Sequence, residues 1–158
     1  MVATLPDEFN APIFSAVSDE NNYPVNVGGG GRLVVVPDAR PALFHFRRVE
    51  GPLGDLAYYE ISFHHMNTLV EERHVVAIPG ATPHKWIIQY QADRGAYTIL
   101  NLPIRPSTPW TVSPDKTVCH YFSLWTIFIL FIQIVIGVRE LPPYPNRMLF
   151  RIPILPRE

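Results

Sequence analysis

Proline is the feature that most restricts how this chain can fold. The 158 residues include 17 prolines, about twice the average share for a protein. Because proline lacks a backbone N–H and fixes φ, it is excluded from helix interiors and from central strand positions. The prolines are spread along the chain, so little room remains for a helix of three turns. The sequence therefore predicts an all-β protein of short strands joined by structured loops.

Short apolar, aromatic or alternating segments recur between turn-forming residues, which is the pattern of strands. In the clearest of them, Leu43–Val49, apolar and polar residues alternate as expected for a half-buried strand. Four consecutive glycines, Gly28–Gly31, separate two of the other segments. The remaining predicted strands cover residues 13–17, 23–27, 32–36, 57–63, 86–88, 97–99, 110–112 and 149–152.

Two stretches of the chain repeat the same pattern at an offset of 42 residues. Pro37 precedes Phe44 by seven residues, and Pro79 precedes Trp86 by seven. A period near 40 with about four strands per unit indicates propeller blades or the lobes of a β-trefoil. A propeller needs at least four blades, which 158 residues cannot supply. The repeat therefore predicts one β-trefoil domain over residues 1–158, with three four-stranded lobes at about 11–61, 62–101 and 102–158.

The third lobe contains an irregular apolar insert. Phe150 would occupy the position of Phe44 and Trp86, but it follows Trp86 by 64 residues. The excess coincides with residues 121–138, which carry no charge and reach the length of a membrane span. This run is rich in β-branched and aromatic residues and has few flanking basic residues. A membrane span is therefore the least favoured of three interpretations of the run.

Two further interpretations of the insert stay open. It could form one or two buried strands. Alternatively, residues 118–133 could be a translated intron, because Val118-Cys119 can be encoded by a splice-donor sequence and Gln133 by an acceptor. Removal of these 16 residues would shorten the distance from Trp86 to Phe150 to 48 residues.

Charge and cysteine content restrict the partners and the setting. The formal net charge is −1, which provides no attraction to nucleic acid, so no nucleic-acid partner is expected. Cys119 is the only cysteine, so no intrachain disulfide can form, and it is expected to be a buried thiol. The first ten residues lack the basic and apolar regions of a signal peptide. A cytoplasmic protein is the resulting expectation.

Three segments carry a resemblance to a known family. They are the Trp86-Ile87-Ile88 strand with residues 95–99 (GAYTI), residues 110–115 (WTVSPD), and the Pro/Tyr-rich tail at 141–152 (LPPYPNRMLFRI). Together they resemble the mushroom β-trefoil serine protease inhibitors of the cospin-like group. More distantly, the chain is similar to the mushroom cysteine protease inhibitors and to ricin-B-like lectins.

The resemblance implies a fungal, monomeric binding protein that is not an enzyme and uses no cofactor. Members of this group block trypsin-like proteases through a basic residue in the loop between the second and third strands of the first lobe. Here that loop is Val27–Leu33, and its only basic residue is Arg32. A protease specificity pocket with a buried acid accepts such a residue when it is held in an extended segment. The candidate contact residues are Gly30, Gly31, Arg32 and Leu33.

Two alternatives remain: a carbohydrate-binding lectin, and a cysteine protease inhibitor of the same fold. A metal site is not expected, because His64 and His65 are adjacent and would point to opposite faces of a strand. Ser113-Pro114-Asp115-Lys116 matches a catalytic S-x-x-K pattern by residue type, but Pro-Asp predicts a turn there rather than the helix that such a site needs.

Overall fold

A computed structural model describes residues 5–18, 20–52, 56–101, 108–120 and 146–154. Strands account for 54% of the structure and helical turns for 5%, which confirms the all-β prediction. Within the described residues the helical turns are of the 3₁₀ type, at Gly29–Gly31 and Asn146–Met148. The strands of the described residues are β1 (Glu8–Pro12), β2 (Phe14–Ser15), β3 (Val25–Val27), β4 (Leu33–Val35), β5 (Leu43–Val49), β6 (Tyr58–Phe63), β7 (Met66–Glu71), β8 (His74–Pro79), β9 (Trp86–Gln91), β10 (Ala96–Asn101), β11 (Thr108–Val112), β12 (Val118–His120) and β13 (Phe150–Arg151).

The strands form a closed antiparallel barrel. Strands β6, β7, β8, β12, β11, β10 and β9 pair in that order, and β9 pairs again with β6, which closes a ring of seven. The same sheet extends from β6 through β5 to β1, and from β10 through β13 to β2. Strands β1 and β2 are consecutive in the chain with only Ile13 between them. The two ends of the sheet are therefore linked by the chain itself rather than by strand pairing.

Strands β5, β9 and β13 pair with their neighbours in equivalent register. Phe44, Trp86 and Phe150 are fully buried in one core cluster. Each of these three residues pairs with a residue of a neighbouring strand on one edge of its own strand. On the other edge, β5 pairs with β6, β9 with β10 and β13 with β2. On the first of these edges, Phe44 pairs with Ala11, Trp86 pairs with Tyr59, and Phe150 pairs with Tyr97.

One hairpin precedes each of β5, β9 and β13 in the chain. These are the first hairpin (β3–β4), the second hairpin (β7–β8) and the third hairpin (β11–β12). Every pair of hairpins is joined by one backbone bridge, so the three hairpins meet around a common centre. The bridges are Arg32–Val76, Val34–Thr117 and His74–Cys119.

The first strand begins earlier than the sequence indicates. The apolar run predicts a strand from Ile13, whereas β1 starts at Glu8. Phe9 explains the difference, because its ring stacks on Phe46 with centroids 4.6 Å apart and meets Tyr59 edge-on. The apolar run alone could not indicate this packing, because it joins Phe9 to residues far along the chain.

The apolar run at residues 121–138 lies outside the described residues. Of the segment 118–133 considered as a translated intron, the first three residues, Val118–His120, form β12 and pair with β11. Cys119 is a buried free thiol, as predicted. No helix among the described residues is both long and apolar enough to span a membrane.

The core is organised around the indole of Trp86. Its N–H donates to Thr68 Oγ1 over 2.9 Å, and the Thr68 hydroxyl donates in turn to the Ile61 carbonyl over 2.7 Å. The Trp86 ring meets Trp110 edge-to-face with centroids 5.1 Å apart, and Trp110 meets Phe150 in the same way at 6.0 Å. Both geometries are favourable aromatic arrangements. Trp86 therefore links the second hairpin to the third hairpin and the last strand.

Thr68→Val should lower the free energy of unfolding by about 2–3 kcal/mol, because two buried polar groups lose their partner without any change in volume. Thr111→Val is the matched control, since within the described residues the Thr111 hydroxyl makes only a local bond, to the Pro109 carbonyl at 3.2 Å. It should cost less than about 1.5 kcal/mol. Urea unfolding of both variants measures the difference, and equal costs would contradict the importance assigned to the Trp86 bond.

His84 fastens the connection between β8 and β9 to the second hairpin. Its Nδ1 accepts the Val70 backbone N–H over 3.1 Å, and the backbone N–H of His84 donates to the Thr68 carbonyl over 3.2 Å. The centroids of the His84 imidazole and the Trp86 ring lie 5.3 Å apart. Burial lowers the pKa of His84 below its ordinary value, since the charged form loses solvation. The folded protein therefore favours the neutral imidazole.

His84 should make stability depend on pH. Because its folded pKa lies below the ordinary 6.5, its contribution is present above about pH 6.5 and is lost as pH falls toward the folded pKa. His84→Asn retains an acceptor for Val70 but cannot be protonated, so the thermal midpoint should fall less between pH 7 and pH 5 than in the parent. The exposed His65, changed to Asn, should leave the parent's pH profile intact. Identical profiles for the parent and His84→Asn would remove His84 as the cause.

Candidate functional site

The predicted loop lies between β3 and β4, at the end of the first hairpin. Val27 pairs with Leu33 as the last pair of the ladder, so the loop proper is Gly28–Arg32, here called the glycine loop. The Gly28 N–H donates to the Arg32 carbonyl over 2.7 Å, and the Gly31 N–H donates to the Gly28 carbonyl over 3.2 Å. The loop is therefore closed by two hydrogen bonds within five residues.

Two of the glycines are required by this geometry. Gly30 and Gly31 have φ of 68° and 77°, in the left-handed region that L side chains rarely adopt. A Cβ on Gly31 would also lie 2.5 Å from the Ala77 carbonyl oxygen of β8. The glycine run therefore allows the first hairpin to contact the second hairpin closely, and this contact holds the loop in place.

Arg32 is the exposed charged residue of the glycine loop. Its backbone is extended, with φ −64° and ψ 133°, and it forms a bridge with Val76 of β8. Among the described residues, none forms an ion pair with the Arg32 guanidinium. Leu33 follows directly and is fully buried in the core. Of the four predicted contact residues, Leu33 thus anchors the loop, whereas Gly30 and Arg32 are exposed and Gly31 is partly so.

The other two hairpins also carry an exposed cation at their turns, and the sequence analysis proposed neither as a contact residue. Arg73 lies between β7 and β8, and Lys116 lies between β11 and β12. Both have left-handed backbones, with φ of 71° and 64°. The turn-forming residues beside Arg73 and Lys116 could have indicated from the sequence that both cations lie at exposed turns. Arg32 differs from both because its backbone is extended.

Acidic residues accompany the two left-handed cations. Glu72 precedes Arg73, and Asp115 precedes Lys116. Hydrogen bonds from the Thr117 hydroxyl and backbone N–H to the Asp115 carboxylate, at 2.7 and 3.1 Å, lower the pKa of Asp115. The turns of the three hairpins together form a surface, here called the cap, that is therefore of mixed charge. In the glycine loop, by contrast, Arg32 has no acidic neighbour in sequence.

The remaining candidate motifs form structural turns. His64 and His65 make the tight turn between β6 and β7, both with positive φ, so they lie in a turn rather than on a strand as the sequence argument assumed. No group of three metal-ligating side chains occurs within the described ranges. Ser113 closes the predicted turn of the third hairpin, because its N–H donates to the Thr117 carbonyl over 2.9 Å.

Comparison with known proteins identifies no relative. No protein-family model, no curated protein and no solved structure gives a significant match to this chain.

Alanine substitutions along the glycine loop should have graded effects. Gly29→Ala should change stability by less than about 0.5 kcal/mol, since a Cβ there meets open space. Gly30→Ala should cost about 1–2 kcal/mol from its positive φ alone. Gly31→Ala adds the collision with the Ala77 carbonyl and should cost about 3 kcal/mol or more. Thermal unfolding of the three variants checks the order, and equal effects would contradict the close contact between the hairpins.

Proposed function

We propose that the chain is a β-trefoil that inhibits a trypsin-like serine protease by presenting Arg32 to the protease active site. Support for the trefoil comes from the threefold recurrence of strand pairing. Strands β5, β9 and β13 pair in equivalent register on both edges, and one hairpin occurs within each of the three repeats. The bridges among the hairpins join each to the other two, as a threefold arrangement requires.

The single observation that carries the inhibitory function is the state of Arg32. The residue that an inhibitor inserts into a protease must be exposed, must have an extended backbone, and must have a side chain that is not held by an ion pair within the inhibitor. Arg32 has an exposed side chain, φ −64° and ψ 133°, and no ion pair with a described residue. Arg73 and Lys116 are exposed as well, but their left-handed backbones do not extend the chain as a protease cleft needs.

The surroundings of Arg32 favour tight binding. On one side the loop is closed by the Gly28–Arg32 hydrogen bond, and on the other Leu33 is buried in the core. The bridge to Val76 fixes the same residue from the second hairpin. Because the loop is already ordered, less conformational entropy is lost on binding. A guanidinium buried against the acid of a specificity pocket forms a charge-assisted, bidentate pair.

Arg32→Ala should raise the inhibition constant for trypsin about 30- to 1,000-fold, which corresponds to about 2–4 kcal/mol. The thermal midpoint should hardly change, because an exposed side chain contributes little to the core. Arg32→Leu should shift inhibition from trypsin toward chymotrypsin, whose specificity pocket is hydrophobic. Steady-state titration of both proteases with the full chain measures these constants.

Arg40→Ala and Arg73→Ala are the matched controls, since both remove an exposed arginine from outside the glycine loop. Each should inhibit trypsin as the parent does. If Arg32→Ala inhibits trypsin as strongly as the parent, the proposed contact is wrong. If the parent blocks papain instead, the cysteine-protease alternative replaces it, and binding to a glycan array without protease inhibition would favour the lectin.

A further inference from the structure

A pocket of about 310 Å³ lies between the first hairpin, the third hairpin and two residues from between β2 and β3, Val17 and Tyr23. This volume is at the lower end of the range for small-molecule sites, roughly 300–1,000 Å³. The pocket is separate from the glycine loop, since no residue of that loop lines it. Its lining combines an apolar group, Val17, Tyr23, Val35 and Val112, with two cations, Lys116 and Arg147.

Backbone contacts join two of the elements that line the pocket. Val35 is 3% exposed, and its N–H donates to the Lys116 carbonyl over 2.8 Å. This bond, together with the Val34–Thr117 bridge, joins β4 to the turn of the third hairpin. The site is therefore preorganised.

Arg147 is held at the rim by the buried residues that follow it. Met148 and Leu149 are buried, and the Leu149 N–H donates to the Asn146 carbonyl over 3.1 Å. The Leu149 carbonyl accepts the Ala16 N–H over 2.9 Å. These contacts place the 3₁₀ turn carrying Arg147 against the segment that begins with Ala16.

The charges of the pocket are not balanced within the described part of the chain. No described carboxylate lines it, and neither Lys116 nor Arg147 forms an ion pair with one. Asp115 adjoins Lys116 in sequence, but its carboxylate is engaged by Thr117. Two cations beside an apolar floor match a ligand that has one anionic group and an apolar body.

We propose that this pocket binds a small apolar carboxylate. The carboxylate would accept hydrogen bonds from Lys116 and Arg147, and the apolar body would lie against Val35 and Val112. A phosphate or a sulfated sugar fits less well, because neither would bury the valine side chains. The size of the pocket favours a small molecule over a folded partner.

The test is a titration of the full-length, ¹⁵N-labelled protein with phenylacetate, followed by amide chemical shifts. Phenylacetamide is the matched neutral probe, since it differs only in replacing the carboxylate by an amide. Phenylacetate should produce saturable shifts at the amides of Val35, Ser113 and Lys116. Phenylacetamide should bind at least tenfold more weakly, because charge-assisted hydrogen bonds are the stronger kind.

Two variants locate the anionic end of the ligand. Lys116→Asn keeps a residue that tolerates the left-handed backbone, and Arg147→Gln keeps the length of the side chain. Each should raise the dissociation constant of phenylacetate about tenfold. Arg73→Asn removes a cation from an equivalent left-handed turn outside the pocket and should leave the constant unchanged. An unchanged thermal midpoint would show that all three variants fold.

Three results would overturn the proposal: no saturable shift with phenylacetate, equal affinity for phenylacetamide, or the same loss in Arg73→Asn as in Lys116→Asn. The outcome is independent of the protease experiment. Arg32→Ala should bind phenylacetate like the parent, whether or not the parent inhibits trypsin.

Discussion

The hydrogen bond from the Trp86 indole to Thr68 is the interaction on which the rest of the structure depends. A buried indole N–H needs a partner, and Thr68 supplies it from the second hairpin while bonding the Ile61 carbonyl of β6. On its other side Trp86 packs edge-to-face on Trp110. One side chain thus joins a barrel strand, two hairpins and the core. Small displacements of any of these elements would break a buried contact.

Backbone bridges among the three hairpins fix the positions of their turns on the surface above this core. Each hairpin is bridged to the other two by a single backbone pair. The contact between Gly31 and the Ala77 carbonyl brings the first hairpin against the second without a side chain between them. The glycine loop is therefore ordered by its neighbours, although four consecutive glycines would suggest a flexible segment. Such ordering reduces the entropic cost of binding a partner.

The same cap offers two chemically different surfaces. Arg32 projects from an extended segment that has no acidic neighbour in sequence, which suits insertion into a deep acidic pocket of another protein. Lys116 lies in a left-handed turn at the border of a concave apolar site, which suits a small ligand. The backbone conformation at each cation, more than its charge, distinguishes the two roles proposed for them.

Much of the framework could be predicted from the sequence because it depends on local patterns. Alternation predicted β5 at Leu43–Val49 with its observed bounds, and the 42-residue offset placed Phe44 and Trp86 at equivalent register positions before any pairing was known. The glycine run was correctly placed between two strands. The details of both candidate sites required the tertiary structure. The close approach of Gly31 to the Ala77 carbonyl depends on where β8 lies, and the pocket unites residues from Val17 to Arg147. Such contacts join residues far apart in the chain, and local residue patterns carry no information about which distant segments will meet.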